Sequence, residues 1–383
     1  MVFVAAACAS SAMASDAPAP AWAWWTASPR SLDGATLTAL ERAAVARCGW
    51  GEEGLRTVAR AIAARKLRGE PLPDVNALAA EQRAAGEPHP WARVWSASGR
   101  TLDADAMAAR VEAWANGEGS AAALRRCGVA EGTAADGTRA LVVVAVDALA
   151  DLAPLPTRAR TGQWLTLEAR LRVPAQDANV VVLGPGGAPR TVHAWMDGPV
   201  LRARFAPEAP GEVTVQVVAD VGRGPRPVLE ATVFADVDPP ARSGETPAPG
   251  EEAASSGGAD ERPAAMLSAA RASAGLSPLA RDARLDAIAR DHAVRMARAH
   301  ALAHDAGDGD PLAPLRAAGL DAREAAENVA HAPTVALAHR AIWDSPSHRT
   351  NVLRRDVDRV GIAVARDERG DAWVVEAMAG GLR

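Results

Sequence analysis

Three side chains in the last third of the chain, His304, Glu327 and His348, are of types that could do chemistry together. Each falls at the edge of an expected element and not within an apolar stripe. Two neutral imidazoles and one carboxylate converging on a cleft would make a divalent-metal site, with His304 and His348 as ligands and water completing the shell of a Zn2+ ion. Metal-assisted hydrolysis, with Glu327 as the candidate catalytic carboxylate, is the sharper extension. The same residues also read as a hydrogen-bonded cluster that orients loops, Glu327 accepting from an imidazole and Asn328 tying backbone. No nucleophile favours the enzyme: Ser345 and Ser347 are near His348 in sequence, but adjacency in a helix-start turn does not give base-to-nucleophile geometry. His292, on an apolar face between Ile288 and Met296, reads as a satisfied core histidine, and His300 as an exposed one near a helix end. Asp305, Asp308 and Asp310 in HDAGDGDP lack the twelve-residue loop and terminal Glu of a calcium site, so they read as a solvated turn.

The elements that must position these residues are legible. PAAMLSAARASAGL and ARLDAIARDHAVRMARAHAL carry apolar residues at helical spacing, with Gly275 where a C-cap needs a left-handed residue. DSPSHRTNVL at 344–353 starts a helical turn: Ser345 can cap it, and Pro346 suits its first position. That turn aims His348, Arg349 and Asn351. RVGIAVARDERGDAWVVEAMA reads as two strands joined by a polar turn at Gly370.

These blocks carry a resemblance. MLSAARASAGLSPLARDARLDAIARDHAVRMA, HALAHD, LRAAGL, AENVA, SPSHRTNVL and VGIAVA, in that order over nearly all of 262–380, resemble the bacterial branch of the CAP superfamily, or SCP-like domains. This is the superfamily of cysteine-rich secretory proteins, antigen 5 and pathogenesis-related 1 proteins. The resemblance implies an α-β-α sandwich outside the cytoplasm and a cleft lined by two histidines and two acids. By motif these fall on His304, Glu327 and His348, while the second acid is replaced by Ser345, as is common in bacterial members; Asn328 joins the cleft lining. Ala326 stands where the family usually has Gly, and Ile342 where it often has Trp, with Trp343 beside it.

At 383 residues the chain is too long for one ordinary core. Residues 34–147 read as a small α+β domain, from helical TLTALERAAVARC and EGLRTVARAIAARKL to the Val-rich strand RALVVVAVDAL. Residues 148–238 alternate apolar and polar in short runs between Gly, Pro and Asp turns, which predicts an Ig-like antiparallel β-sandwich. Residues 239–260, with almost no large apolar group, read as a flexible linker before the 261–383 domain. EAWANGEGSAAALRRCGVAEGTAADGTRALVVVAVD parallels the C-terminal AIWDSPSHRTNVLRRDVDRVGIAVARDERGDAWVVEAMA. The first domain is thus a possible degenerate CAP-like copy, with Ser120 near the place of His348 and no chemistry of its own.

Composition limits the partners. A net charge of −5 with interspersed signs gives no source of phosphate attraction, so nucleic acid is not expected. The apolar start MVFVAAACASSAMA, with Ala12-Met13-Ala14 before Ser15, predicts a signal peptide at 1–14 and export; lipidation at Cys8 is the minority reading. An exported chain with Cys48 and Cys127 would join them in a disulfide. No later stretch is apolar enough to span a membrane. The expected role is binding of a metal, lipid-like or cell-envelope ligand in a solvent-reachable CAP cleft, with a metal-dependent hydrolase or a structural envelope protein as the alternatives.

Overall fold

The computed structural model describes residues 26–32, 35–116, 122–222, 224–240, 246–252, 258, 260–310 and 312–383. The expected leader with Cys8, and Ser120, lie outside them.

The chain is a multidomain α+β protein. Its first part runs β1 (Thr26–Ala27), α1 (Ala39–Cys48), β2 (Trp50–Gly51), α2 (Glu53–Leu67), α3 (Val75–Ala84), β3 (Arg93–Gly99), α4 (Ala104–Asn116), β4 (Arg125–Thr133) and β5 (Arg139–Asp147). The continuous apolar run of β5 is explained by helices on both faces. Leu141, Val143 and Ala145 share a core with Leu40, Ala44 and Met107, while Val142, Val144 and Val146 meet Leu55, Val58 and Ile62. Cys48, closing α1, is disulfide-bonded to Cys127 on β4.

The middle contributes β6 (Ala150–Leu152), β7 (Leu155–Pro156), β8 (Arg158–Ala159), β9 (Leu165–Leu171), β10 (Ala178–Leu183), β11 (Pro189–Val192), β12 (Ala194–Asp197), β13 (Val200–Phe205), β14 (Gly211–Asp220) and β15 (Pro225–Ala235). Two sheets, ordered β11-β10-β14-β15-β8 and β12-β13-β9-β6, enclose one core that includes Leu167, Leu201, Phe205, Val215 and Leu229. One pairing departs from the antiparallel expectation: β8 runs parallel to β15. The whole sandwich separates these two strands in sequence, so no hairpin turn forces them to oppose.

The last part runs α5 (Glu261–Ser273), β16 (Ala280–Arg281), α6 (Ala283–Ala299), α7 (Leu312–Ala317), β17 (Glu324–Ala332), α8 (Val335–Asp344), α9 (Pro346–Val352), β18 (Arg359–Arg366) and β19 (Ala372–Gly380). Its sheet, ordered β16-β18-β19-β17, lies between helices. Val329, Trp373 and Val375 face α6 through Ala289, Ala293 and Met296; Ala330, Val374 and Met378 face α5 and α8 through Met266, Leu267 and Ile342. Ile342 belongs to that core, and Trp343 packs against the same core while lying under the Arg349 guanidinium at 4.1 Å.

The first sheet repeats the last one strand for strand. Its order is β2-β4-β5-β3, with β2 parallel to β4 and the other pairs antiparallel, as for β16-β18-β19-β17. In both, a glycine lets an earlier helix touch the sheet. A Cβ on Gly128 would lie 2.0 Å from the Leu55 carbonyl carbon, and one on Gly361 2.0 Å from that of Leu285. The registers Val94, Val144, Gly128 and Glu327, Ala377, Gly361 then place Val94 where the last sheet carries Glu327.

The expected linker is not free throughout. Within 239–260, the Glu251 carboxylate takes hydrogen bonds from Arg340 Nε at 2.7 Å and Nη2 at 2.6 Å, and the Pro249 carbonyl meets His339 Nε2 at 2.9 Å. Gly250, at φ +91°, sits against Met266 and Ala269. Composition missed this docking because an ion pair and backbone contacts hold it, not large apolar side chains.

Candidate functional site

Of the trio, His304 and Glu327 meet in a hydrogen bond, and His348 neighbours His304 from a third element. Glu327 lies on β17, an edge strand, and its Oε1 is 2.7 Å from His304 Nδ1. His304 belongs to the loop after α6, a helix that ends on left-handed His300 at φ +47°. His292, buried on α6, holds this loop: Nδ1 meets Asp308 Oδ2 at 2.7 Å and Nε2 meets the Ala303 carbonyl at 3.0 Å. It is a satisfied core histidine, but it also stands 3.8 Å from Glu327 Oε1. Burial opposes its charged form, yet Glu327 and Asp308 outweigh burial and raise its pKa above the ordinary value. Asp308 is therefore a partner to this histidine and not solvated. Asp305 accepts from the amides of Gly307 and Gly309, and Asp310 from those of Leu312 and Ala313, as turn-formers do.

His348 is on α9, seven residues with Pro346 at the start. A helix this short is held by tertiary contacts. Asn351 Nδ2 donates to the Glu327 carbonyl at 3.2 Å and to Asn328 Oδ1 at 3.0 Å. Asn328, fully buried, donates to the His348 carbonyl at 3.4 Å and to Glu376 Oε2 at 3.0 Å. At the other end the buried Arg271 donates to the Val352 and Arg354 carbonyls at 2.7 and 2.9 Å. Burial, and then the neighbouring His304, push the His348 pKa down to about 3, so its ring is neutral at physiological pH.

Two expectations need correction. Ser345 neither caps α9 with its side chain nor joins the trio through any hydrogen bond found among the described residues. Its Oγ faces Gln216 Nε2 of β14 and Ser347 Oγ, both at 3.3 Å. The cleft, moreover, is covered. A Cβ on Gly224, at the turn before β15, would lie 2.8 Å from His304 Cβ, and Arg349 Nη1 reaches the Gly187 carbonyl at 3.4 Å. The His304 and Glu327 side chains keep only 15% and 7% of their exposure. The central sandwich seats itself on the face that the sequence alone left open.

Glu376 is the site residue that the sequence reading missed. It is an acid inside the otherwise apolar strand AWVVEAMAG, a pattern that could have flagged it. Burial raises its pKa to about 7, against the hydrogen bond from Asn328.

Residues 265–377 match the family model described as CAP, the cysteine-rich secretory protein family. Comparison with curated proteins gives no match. Among solved structures, the chain is similar to an outer surface protein of Borrelia burgdorferi, at 18% identity over 30% of this chain and 86% of that one, with a TM-score of 0.28. It is also similar to an extracellular SCP-domain protein of Bacillus anthracis, at 14% identity over 56% of this chain and 64% of that one, with a TM-score of 0.29. A cysteine-rich secretory protein of Staphylococcus aureus is similar at 13% identity over 60% and 80%, with a TM-score of 0.25.

Proposed function

Since residues 265–377 form a CAP domain carried at the end of a larger chain, we propose that the protein is an exported binding module whose CAP site takes a divalent cation without turnover. The observation behind this reading is the His304 to Glu327 hydrogen bond. Glu327 acts as an outer partner: a carboxylate on Nδ1 fixes the ring tautomer and leaves Nε2 as a lone-pair donor. His304 and His348 would hold the ion, which would supply a Lewis-acidic centre. A lining of imidazole, carboxylate and amide favours a cation over a lipid-like molecule, and the covering sandwich favours a small ligand over a polymer. Glu327 is engaged with His304, which makes it a positioning group and weakens the hydrolase reading. Export is supported by the Cys48 to Cys127 disulfide and the small-x-small site at 12–14; among the described residues no helix is long and apolar enough to cross a membrane.

Zinc titration of the full chain tests the site. His304→Ala and His348→Ala should each remove one bound ion, while His300→Ala should not. Equal binding by all three variants and the wild type would refute the reading.

A further inference from the structure

Among the described residues, ligating side chains converge in a group of three outside the trio. His331 is near the end of β17, and Asp367 and Asp371 flank the turn between β18 and β19. His331 Nε2 is 3.7 Å from Asp367 Oδ2 and 3.6 Å from Asp371 Oδ2. These separations are too long for hydrogen bonds. Nε2 is nonetheless shut off from solvent and, among the described residues, has no partner within hydrogen-bond distance. Two ligand atoms sharing one ion, with bonds of about 2.1 Å opened to a tetrahedral angle, would stand about 3.4 Å apart. We propose that His331, Asp367 and Asp371 form a second divalent-cation site, suited to an ion of the Zn2+ class.

The three side chains are already held in place. The His331 ring stacks on Trp373 with centroids 4.1 Å apart. Trp373 Nε1 donates to Asp367 Oδ2 at 3.2 Å, and Asp367 Oδ1 accepts from the amides of Arg369 and Asp371 at 2.9 and 3.0 Å. Such outer contacts orient ligands before an ion arrives. Arg369 meets Asp371 only at 4.0 Å and is largely exposed, so it can swing away. One imidazole among two carboxylates selects a transition ion over Mg2+ or Ca2+, which prefer all-oxygen shells. His331 is four residues beyond Glu327 on the same strand face, roughly 13 Å along it, so the two ions would be separate.

The test is titration of the full chain with Zn2+ and with Co2+, whose visible absorption reports its ligands. His331→Gln and Asp371→Asn, both at partly exposed positions, should each lower zinc stoichiometry by one or weaken that site by more than the roughly 10–100-fold that an outer partner costs. In a His304→Ala/His348→Ala background one ion should still bind and raise the Tm, and adding Asp371→Asn should remove both effects. The proposal is overturned if the wild type takes up no zinc, if the His331 and Asp371 variants bind as the wild type does, or if the double variant binds none. Loss of binding only in the His331 and Asp371 variants would uphold this site and sink the reading of the trio.

Discussion

Gln216, from the central sandwich, caps the helix that carries His348: its side-chain oxygen accepts the Ser347 backbone N–H at 3.0 Å. That amide is one of the donors a helix start leaves unpaired. Gln216 is itself held, since its amide donates to Glu230 Oε2 at 2.8 Å, and Glu230 Oε1 pairs with Arg83 of α3 at 2.8 Å. One polar chain thus joins all three parts of the protein at the site.

Gln216→Ala should therefore loosen the cover as well as the helix. Losing a cap costs about 1 kcal/mol, which faster hydrogen exchange at the Ser347 amide should register. Carbethoxylation should modify His304 and His348 more slowly than exposed His300 in the wild type, and faster in the variant. Equal rates for all three histidines in the wild type would mean that the sandwich does not shield the site.

The pH dependence of stability should reflect two opposed groups. Glu376 has a folded pKa of about 7 against an ordinary 4.5, so the native state binds more protons between those values and stability falls as pH rises through them. His348, at about 3 against 6.5, does the reverse: the unfolded chain binds more protons between these values, and stability rises with pH there. Glu376→Gln keeps an acceptor for Asn328 and removes only the first effect. It should raise the Tm at pH 8 and leave it nearly unchanged at pH 4. A Tm gain that does not vary with pH would assign its effect to packing.

The two helix-to-sheet contacts should be intolerant of a methyl group. Gly361→Ala and Gly128→Ala each drive a Cβ into helix backbone, which cannot swing aside as a side chain can, so each should cost about 3 kcal/mol or more. Gly137→Ala, at a turn with nothing within 4 Å, is the control for added bulk, with only its positive φ to strain it. Denaturant melts that place the two variants level with this control would show that the helices can move.

Replacing Cys48 and Cys127 with alanine should destabilise the first domain by about 2–4 kcal/mol, since the bond closes a loop with a sequence separation of 79. Zinc binding at the C-terminal sites should survive, because neither cysteine belongs to that domain. A melting curve identical with and without reductant would count against the bond.

Local sequence determined a good deal of this protein. The three- and four-residue apolar spacing of α5 and α6, the Ser-Pro start of α9, the alternation in β9 to β15 and the Val run of β5 each encode an element, because every such pattern is a short-range match between side chains and a backbone period. Motif order in the last domain also singled out His304, Glu327 and His348, but the expected edge positions hold only for His304: Glu327 lies inside β17 and His348 inside α9. Tertiary structure decided what lies across from them. The pairing of His304 with Glu327, the Asp308 and Glu376 partnerships, the Gln216 cap, the docking of Glu251 and the cover over the site all join residues far apart in the chain. Such contacts depend on how whole sheets and helices settle against one another, and no period within a single segment carries that information.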